Sequence, residues 1–246
     1  MLCERARSLV TNVHVTASYH GVRGKDLLGE RVESMARKQL RGNAVAIAVP
    51  AVGLDIPCPP VNEFYGKTSI DGVDIYAVNS EIKELDPRDD GALAAMQDFV
   101  VTFWALVTAG VIGYAPTVHG HGNLGAFAIA VGPALEYQVG RLFTPYHDFG
   151  QLYQPFSEEQ AQLLGGWNPE TGPAHFGKIS LFKRGVLSAN VVATTPDQYT
   201  VIHNSDLGGF LDYQVTKSPN RFIIDDRLFL GEYLGRMKFP LIVNIN

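Results

Sequence analysis

Cysteine is nearly absent from this chain: Cys3 and Cys58 are the two in 246 residues. They cannot build a disulfide framework, and neither has a second cysteine at metal-ligand spacing. One bridge between them stays open. So low a count fits a reducing compartment, or a virion, better than secretion. Charge is scarce as well, at 18% of residues, against about 25% in an average globular chain. The basic residues are scattered and the net charge is −5. A protein that grips a phosphate backbone needs a clustered basic surface, so direct nucleic-acid binding is not expected. The N-terminal dozen residues are charged by position 4 and carry no apolar stretch, so no secretory signal is read there. There is no G-x-S-x-G elbow, no Walker lysine, no internal repeat and no low-complexity linker.

Against these absences stands one long uncharged run. Phe99 to Leu135 holds 37 residues without Lys, Arg, Asp or Glu. Such a stretch must be buried in a core, an interface or lipid. Its first eighteen residues reach the lower limit for a spanning helix. The second half is glycine-rich and too short to return, and basic flanks are missing, so membrane insertion is not expected. At 246 residues the chain can bury roughly 70–75% of its unfolded surface.

Taken in order, residues 1–12 read as a short helix and 13–19 as a strand with Val13, Val15 and Ala17 on one face. A helix follows from Lys25 to Leu40, with Leu28, Val32, Met35, Ala36 and Leu40 on one side. Residues 44–49 make a buried strand. An extended, proline-rich arm spans about 50–72, and a strand at 73–78 follows the Asp71-Gly72 turn. Asp86-Pro87-Arg88-Asp89 combines an N-cap, an N1 proline and an acidic first turn. The stripe from Leu93 to Val107 then predicts one long buried helix over about 87–109. The glycines at 113, 120, 122, 125 and 132 argue against a second helix there, so short strands near 111–118 and 125–131 are expected, and Leu135–Phe143 reads as a further strand or turn. An irregular excursion covers about 144–177, with a helical fragment at Ser157–Leu164. The segments GKISLFKRGV, VLSANVVAT, YTVIHN, FLDYQVT and RFIIDD read as strands of an antiparallel meander, followed by a short helix at Asp226–Arg236 and an apolar terminal strand at 239–246. The expected fold is α+β: a single integrated domain, 1–246, with one long buried helix and a mostly antiparallel, β-rich C-terminal half.

The candidate chemistry centres on His119-x-His121. Two histidines at i, i+2 on a strand share a face and can ligate one metal, with Gly120 and Gly122 admitting close approach. Glu136, His147 or Asp148 could complete the set. Tyr146-His147-Asp148 invites an acid–base reading, although adjacent residues on an extended chain point apart. No catalytic residue and no cofactor can be named from these patterns. No family motif is present. The order of elements is compatible with viral-shell and phage structural folds and equally with α+β enzymes. Low charge, extended segments and an apolar C-terminal strand favour a self-assembling structural protein of virion, tail or compartment-shell type. Its partners would be copies of itself, joined through 144–177 and 239–246. The alternative is a metal-dependent enzyme built on His119 and His121, so whether the chain is an enzyme stays open.

Overall fold

The computed structural model describes residues 11–17, 27–40, 44–79, 92–112, 117–131, 139–145, 174–175 and 178–225. Its frame is one eight-stranded sheet. The strands are β1 (Thr11–Val15), β2 (Ala44–Pro50), β3 (Tyr65–Ile70), β4 (Val73–Val78), β5 (Thr117–His121), β6 (Gly140–Thr144), β9 (Val191–Thr194) and β10 (Phe222–Ile224). A two-stranded ribbon, β7 (Ala174–His175) and β8 (Lys178–Ile179), lies apart from it. The helices are α1 (Leu27–Gln39), α2 (Ala92–Thr108), α3 (Gly122–Ala130), α4 (Leu181–Ser188), α5 (Pro196–His203) and α6 (Gly208–Lys217).

The sheet order is β10-β9-β6-β5-β1-β2-β4-β3. Every neighbouring pair is parallel except β3 with β4. The chain starts in the middle at β1, winds outward through β2 to β4, then returns to the other side of β1 and winds outward again from β5 to β10. Strand order therefore reverses between β1 and β5. This is a doubly wound α/β architecture, and it replaces the expected α+β fold with its antiparallel C-terminal half. Helices at 181–188, 196–203 and 208–217 stand where GKISLFKRGV, YTVIHN and FLDYQVT were expected as strands. Two of these helix starts have a local cause. The Ser180 hydroxyl accepts from the Lys183 amide at 3.1 Å, and the Thr195 hydroxyl accepts from that of Gln198 at 3.3 Å. Pro196 then occupies the first turn with Asp197, the same grammar as Asp86-Pro87.

The strands at 44–50 and 73–78 and the helix at 27–39 stand where the sequence puts them. The proline-rich arm folds back as β3, pairing with β4 through a hairpin whose Asp71 and Gly72 both have positive φ, 51° and 85°, the requirement of a tight primed turn. Helix α2 is continuous over its described length, but it is a layer on the sheet rather than a central rod. Phe99, Phe103 and Trp104 are buried while Val101, Ala105 and Thr108 face outward. Its proposed start at Asp86-Pro87 lies outside the described residues. Among the described residues, no helix is long and apolar enough to cross a membrane.

Two cores flank the sheet. On one face, Val13, Val15, Ala46, Ala48, Tyr76 and Val118 meet Phe99, Phe103 and Phe127 from α2 and α3. On the other, Val45, Ile47, Val49 and Ile75 meet Val32 and Ala36 of α1. The Trp104 indole donates to the Ala128 carbonyl at 3.0 Å and locks α2 to α3.

Candidate functional site

The expected strand pair at 111–118 and 125–131 is instead β5 followed at once by α3. Gly120 and Gly125 explain the compact turn-over. A Cβ on Gly120 would lie 2.4 Å from the Gly125 carbonyl oxygen, and one on Gly125 would lie 2.4 Å from the Gly120 carbonyl carbon. Only glycine at both positions lets the helix lie this close to its own strand. Gly122, the first residue of α3, has φ +61°. Glycines that count against a helix in isolation are here the condition for packing one.

β1 and β5 pair in register, Asn12 with Thr117 and His14 with His119. Side chains alternate along each strand. Val13, Val15 and Val118 therefore face the α2–α3 core, and Asn12, His14, Thr117, His119 and His121 form a polar stripe on the α1 face. The stripe is sealed: His14 and His121 are 0% exposed and His119 2%. His14 Nδ1 lies 2.9 Å from His121 Nε2. His14 Nε2 lies 3.0 Å from Oε1 of Gln39, the last residue of α1. His119 Nε2 lies 2.7 Å from the Thr144 hydroxyl at the end of β6. Ring centroids of His119 and His121 are 4.0 Å apart, and that of His14 is 5.0 and 5.2 Å from theirs. One ring nitrogen from each of the three lies within 4.8 Å of the others.

A Gln39 carbonyl oxygen accepts, so His14 carries its proton on Nε2 and presents a lone pair at Nδ1 to the Nε2–H of His121. All three rings are held neutral at pH 7. Burial pushes His14 down to about 4, against an upward pull from the Gln39 hydrogen bond. It pushes His119 and His121 well below the ordinary imidazole value, reinforced by neighbouring His121 and His14 for the first and by His14 for the second. Rings this hard to protonate are poor general bases at neutral pH. They remain good lone-pair donors.

The stripe is also incompletely satisfied. Both side-chain polar atoms of Asn12, the Thr117 hydroxyl and His119 Nδ1 are buried without a hydrogen-bond partner among the described residues. Each such atom costs about 1–3 kcal/mol. A run of them along one seam asks for an explanation such as an ion, a water or a functional role.

Of the residues singled out from sequence, His119 and His121 do come together. Glu136, His147 and Asp148 lie outside the described residues, as do most of the 144–177 excursion and the 226–246 segment with its expected helix and strand. The third member is His14, which the sequence reading passed over between the two valines of the expected core face. Its signal was present: Asn12, His14 and Thr16 alternate with valine, and Thr117, His119 and His121 alternate with Val118 and Gly120. Two polar-alternating strands pair here with their polar faces together.

The cluster also has a defined topological address. It stands where β1 and β5 end and the sheet reverses direction, and α3 starts directly after His121. In open α/β sheets, ligands bind outside the carboxyl ends of the strands at this reversal.

No family model matches the sequence, and no curated protein matches it. Among solved structures, the catalytic domain of starch synthase IV from Arabidopsis thaliana, bound to ADP and acarbose, matches with a TM-score of 0.63 at 15% identity, covering 88% of this chain and 51% of that one. Two structures of sucrose-phosphate synthase from Thermosynechococcus elongatus match at a TM-score of 0.43. One is 13% identical and covers 79% of this chain and 81% of that one; the other is 12% identical and covers 78% and 44%. The starch synthase match carries the fold alone: a Rossmann-like, mostly parallel α/β sheet with helices. The chain spans about half the length of that domain. The expected shell or virion subunit is thereby overturned: the sheet has the fold of a catalytic domain, and the antiparallel C-terminal half expected with it is not found among the described residues.

Proposed function

We propose that this chain contributes to an enzyme of glycosyl transfer, and that a sugar-bearing ligand binds in the crevice outside the carboxyl ends of β1 and β5. The reaction class moves a glycosyl group from a leaving phosphate to an acceptor hydroxyl: the bond from the anomeric carbon to phosphate oxygen breaks and one to the acceptor oxygen forms. The observation that carries the reading is the sealed His14–His119–His121 cluster at the point of strand reversal, in a sheet whose fold matches a catalytic domain that holds ADP and acarbose. Buried polar groups cost stability, and a fold retains them where they serve a site. Neutral, rigidly held imidazoles orient ligands, or hold an ion, better than they shuttle protons at pH 7.

The test is ligand binding by the full chain, followed by calorimetry and by ligand-observed NMR with ADP and acarbose. Saturable binding of either, weakened at least tenfold by His121→Phe in a folded protein, is the expected result. Absence of binding by both, at millimolar concentrations and with the protein folded, contradicts the reading.

A further inference from the structure

We infer that His14, His119 and His121 form a binding site for one divalent transition-metal ion of the zinc class. The inference does not rest on the glycosyl-transfer reading, because the site is defined by its own donors. Zinc bound by imidazole at about 2.0–2.1 Å in a tetrahedron sets ligand nitrogens about 3.3 Å apart. Here His14 Nδ1 and His121 Nε2 are 2.9 Å apart, and a nitrogen of His119 completes a triangle with no side beyond 4.8 Å.

The partners behind the rings make the stronger case. Metal-binding histidines almost always engage their second nitrogen with an acceptor that fixes the ring. Gln39 Oε1 does this for His14 at Nε2, and the Thr144 hydroxyl engages His119 at Nε2. Each contact leaves Nδ1 as the other donor. In His14 that atom faces His121; in His119 it is buried and has no hydrogen-bond partner among the described residues. A metal ion would satisfy it, as no described residue does. Metal binding would replace the hydrogen bond between His14 Nδ1 and His121 Nε2, with the His121 proton moving to its Nδ1 so that Nε2 offers a lone pair.

The donor set also selects the ion. Three imidazole nitrogens suit Zn²⁺, Co²⁺, Ni²⁺ or Cu²⁺, whereas Mg²⁺ and Ca²⁺ require oxygen ligands. Three protein donors leave a fourth position for water or a ligand oxygen, the pattern of sites that bind substrate. His14 takes the place that Glu136 or His147 was expected to fill.

The experiment is calorimetric titration of the chelator-stripped full chain with Zn²⁺ and with Co²⁺, the latter also followed by its visible spectrum. One equivalent per chain and cobalt bands of a low-coordinate nitrogen site are expected. His119→Gln should lose affinity by a hundredfold or more. Thr144→Val, which removes only the partner behind His119, should lose tenfold to a hundredfold. His203→Ala, at the exposed His203–Asp212 pair, should change nothing. Failure of the wild-type chain to bind a stoichiometric ion overturns the proposal, as does unchanged affinity in folded His119→Gln. Should His119→Gln not fold, Thr144→Val decides: unchanged affinity there overturns the site.

Discussion

The two faces of the β1–β5 seam are made by the same ten residues of strand, yet they are built to opposite ends. On the α2–α3 face, Val13, Val15 and Val118 are fully buried and packed by Phe99, Phe103 and Phe127. Gly120 and Gly125 close the last gap between strand and helix. On the α1 face, equally buried, stand three histidines, an asparagine and a threonine, with four polar atoms unpartnered. Burial alone therefore does not distinguish core from site. What distinguishes them is whether buried groups are satisfied by what surrounds them. One face is optimised for cohesion, and the other carries a cost in stability that a functional ligand would offset.

The comparison can be broken most strongly from the apolar side. Phe103 is 0% exposed in that core, so Phe103→Ala should destabilise by about 3–5 kcal/mol in urea unfolding. A loss below about 1 kcal/mol would mean that this face is not tightly packed. From the polar side, pH is the lever. His14 binds its proton only near pH 4 when folded but near 6.5 when unfolded. The unfolded state thus takes up more protons between those values. Stability is intact above pH 6.5 and falls as pH drops toward 4, by on the order of 3 kcal/mol from His14 alone. Unfolding of the metal-free chain at pH 7.5, 6 and 5 should show this decline, and His14→Leu should flatten it. An equal decline in His14→Leu would assign it to other groups.

A third change sharpens the contrast by reversing sign. Asn12→Leu with Thr117→Val replaces unpartnered buried polar atoms with apolar groups of similar size. Stability should rise by about 1–3 kcal/mol, measured as a shift in urea midpoint at unchanged slope. A loss of stability would mean that these atoms have partners which sustain the fold. The smallest expected effect concerns a helix start. Thr195→Ala removes the cap of α5 and should cost about 1 kcal/mol, far less than either seam face. A cost near that of Phe103→Ala would mean that the cap organises more than its own helix.

The sequence was legible where one local rule decided the outcome. The strand at 73–78 follows a turn written as Asp71-Gly72, and α1 follows from the spacing of Val32, Met35 and Ala36. It misled where tertiary packing overruled local pattern. Gly120, Gly122 and Gly125 look like helix breakers until a helix must lie within van der Waals reach of its strand. Thr195-Pro196-Asp197 sits between segments that read as strands, although it has the same helix-start grammar as Asp86-Pro87. Residues 181–217 alternate enough to pass for strands, because short amphipathic helices of two or three turns carry few periodic positions. His119 and His121 were found because their spacing puts both on one face. His14 gives no local signal of a site, because the polar face of an alternating strand ordinarily meets solvent, a rule that fails for a parallel sheet covered on both sides. That β1 and β5 pair at all is a long-range fact of topology, beyond the reach of any window of sequence.

The central claim is that the polar face of the β1–β5 seam is a working site and not tolerated core. The most direct measurement is ¹⁵N NMR of the histidine ring nitrogens in the full chain, followed as one equivalent of Zn²⁺ and then acarbose are added. The account predicts that the ring nitrogens of His14, His119 and His121 shift together with the zinc addition while those of His203 stay in place. If the three rings keep their free-state shifts through both additions in a folded protein, the seam is a hydrogen-bonded core and the account is wrong.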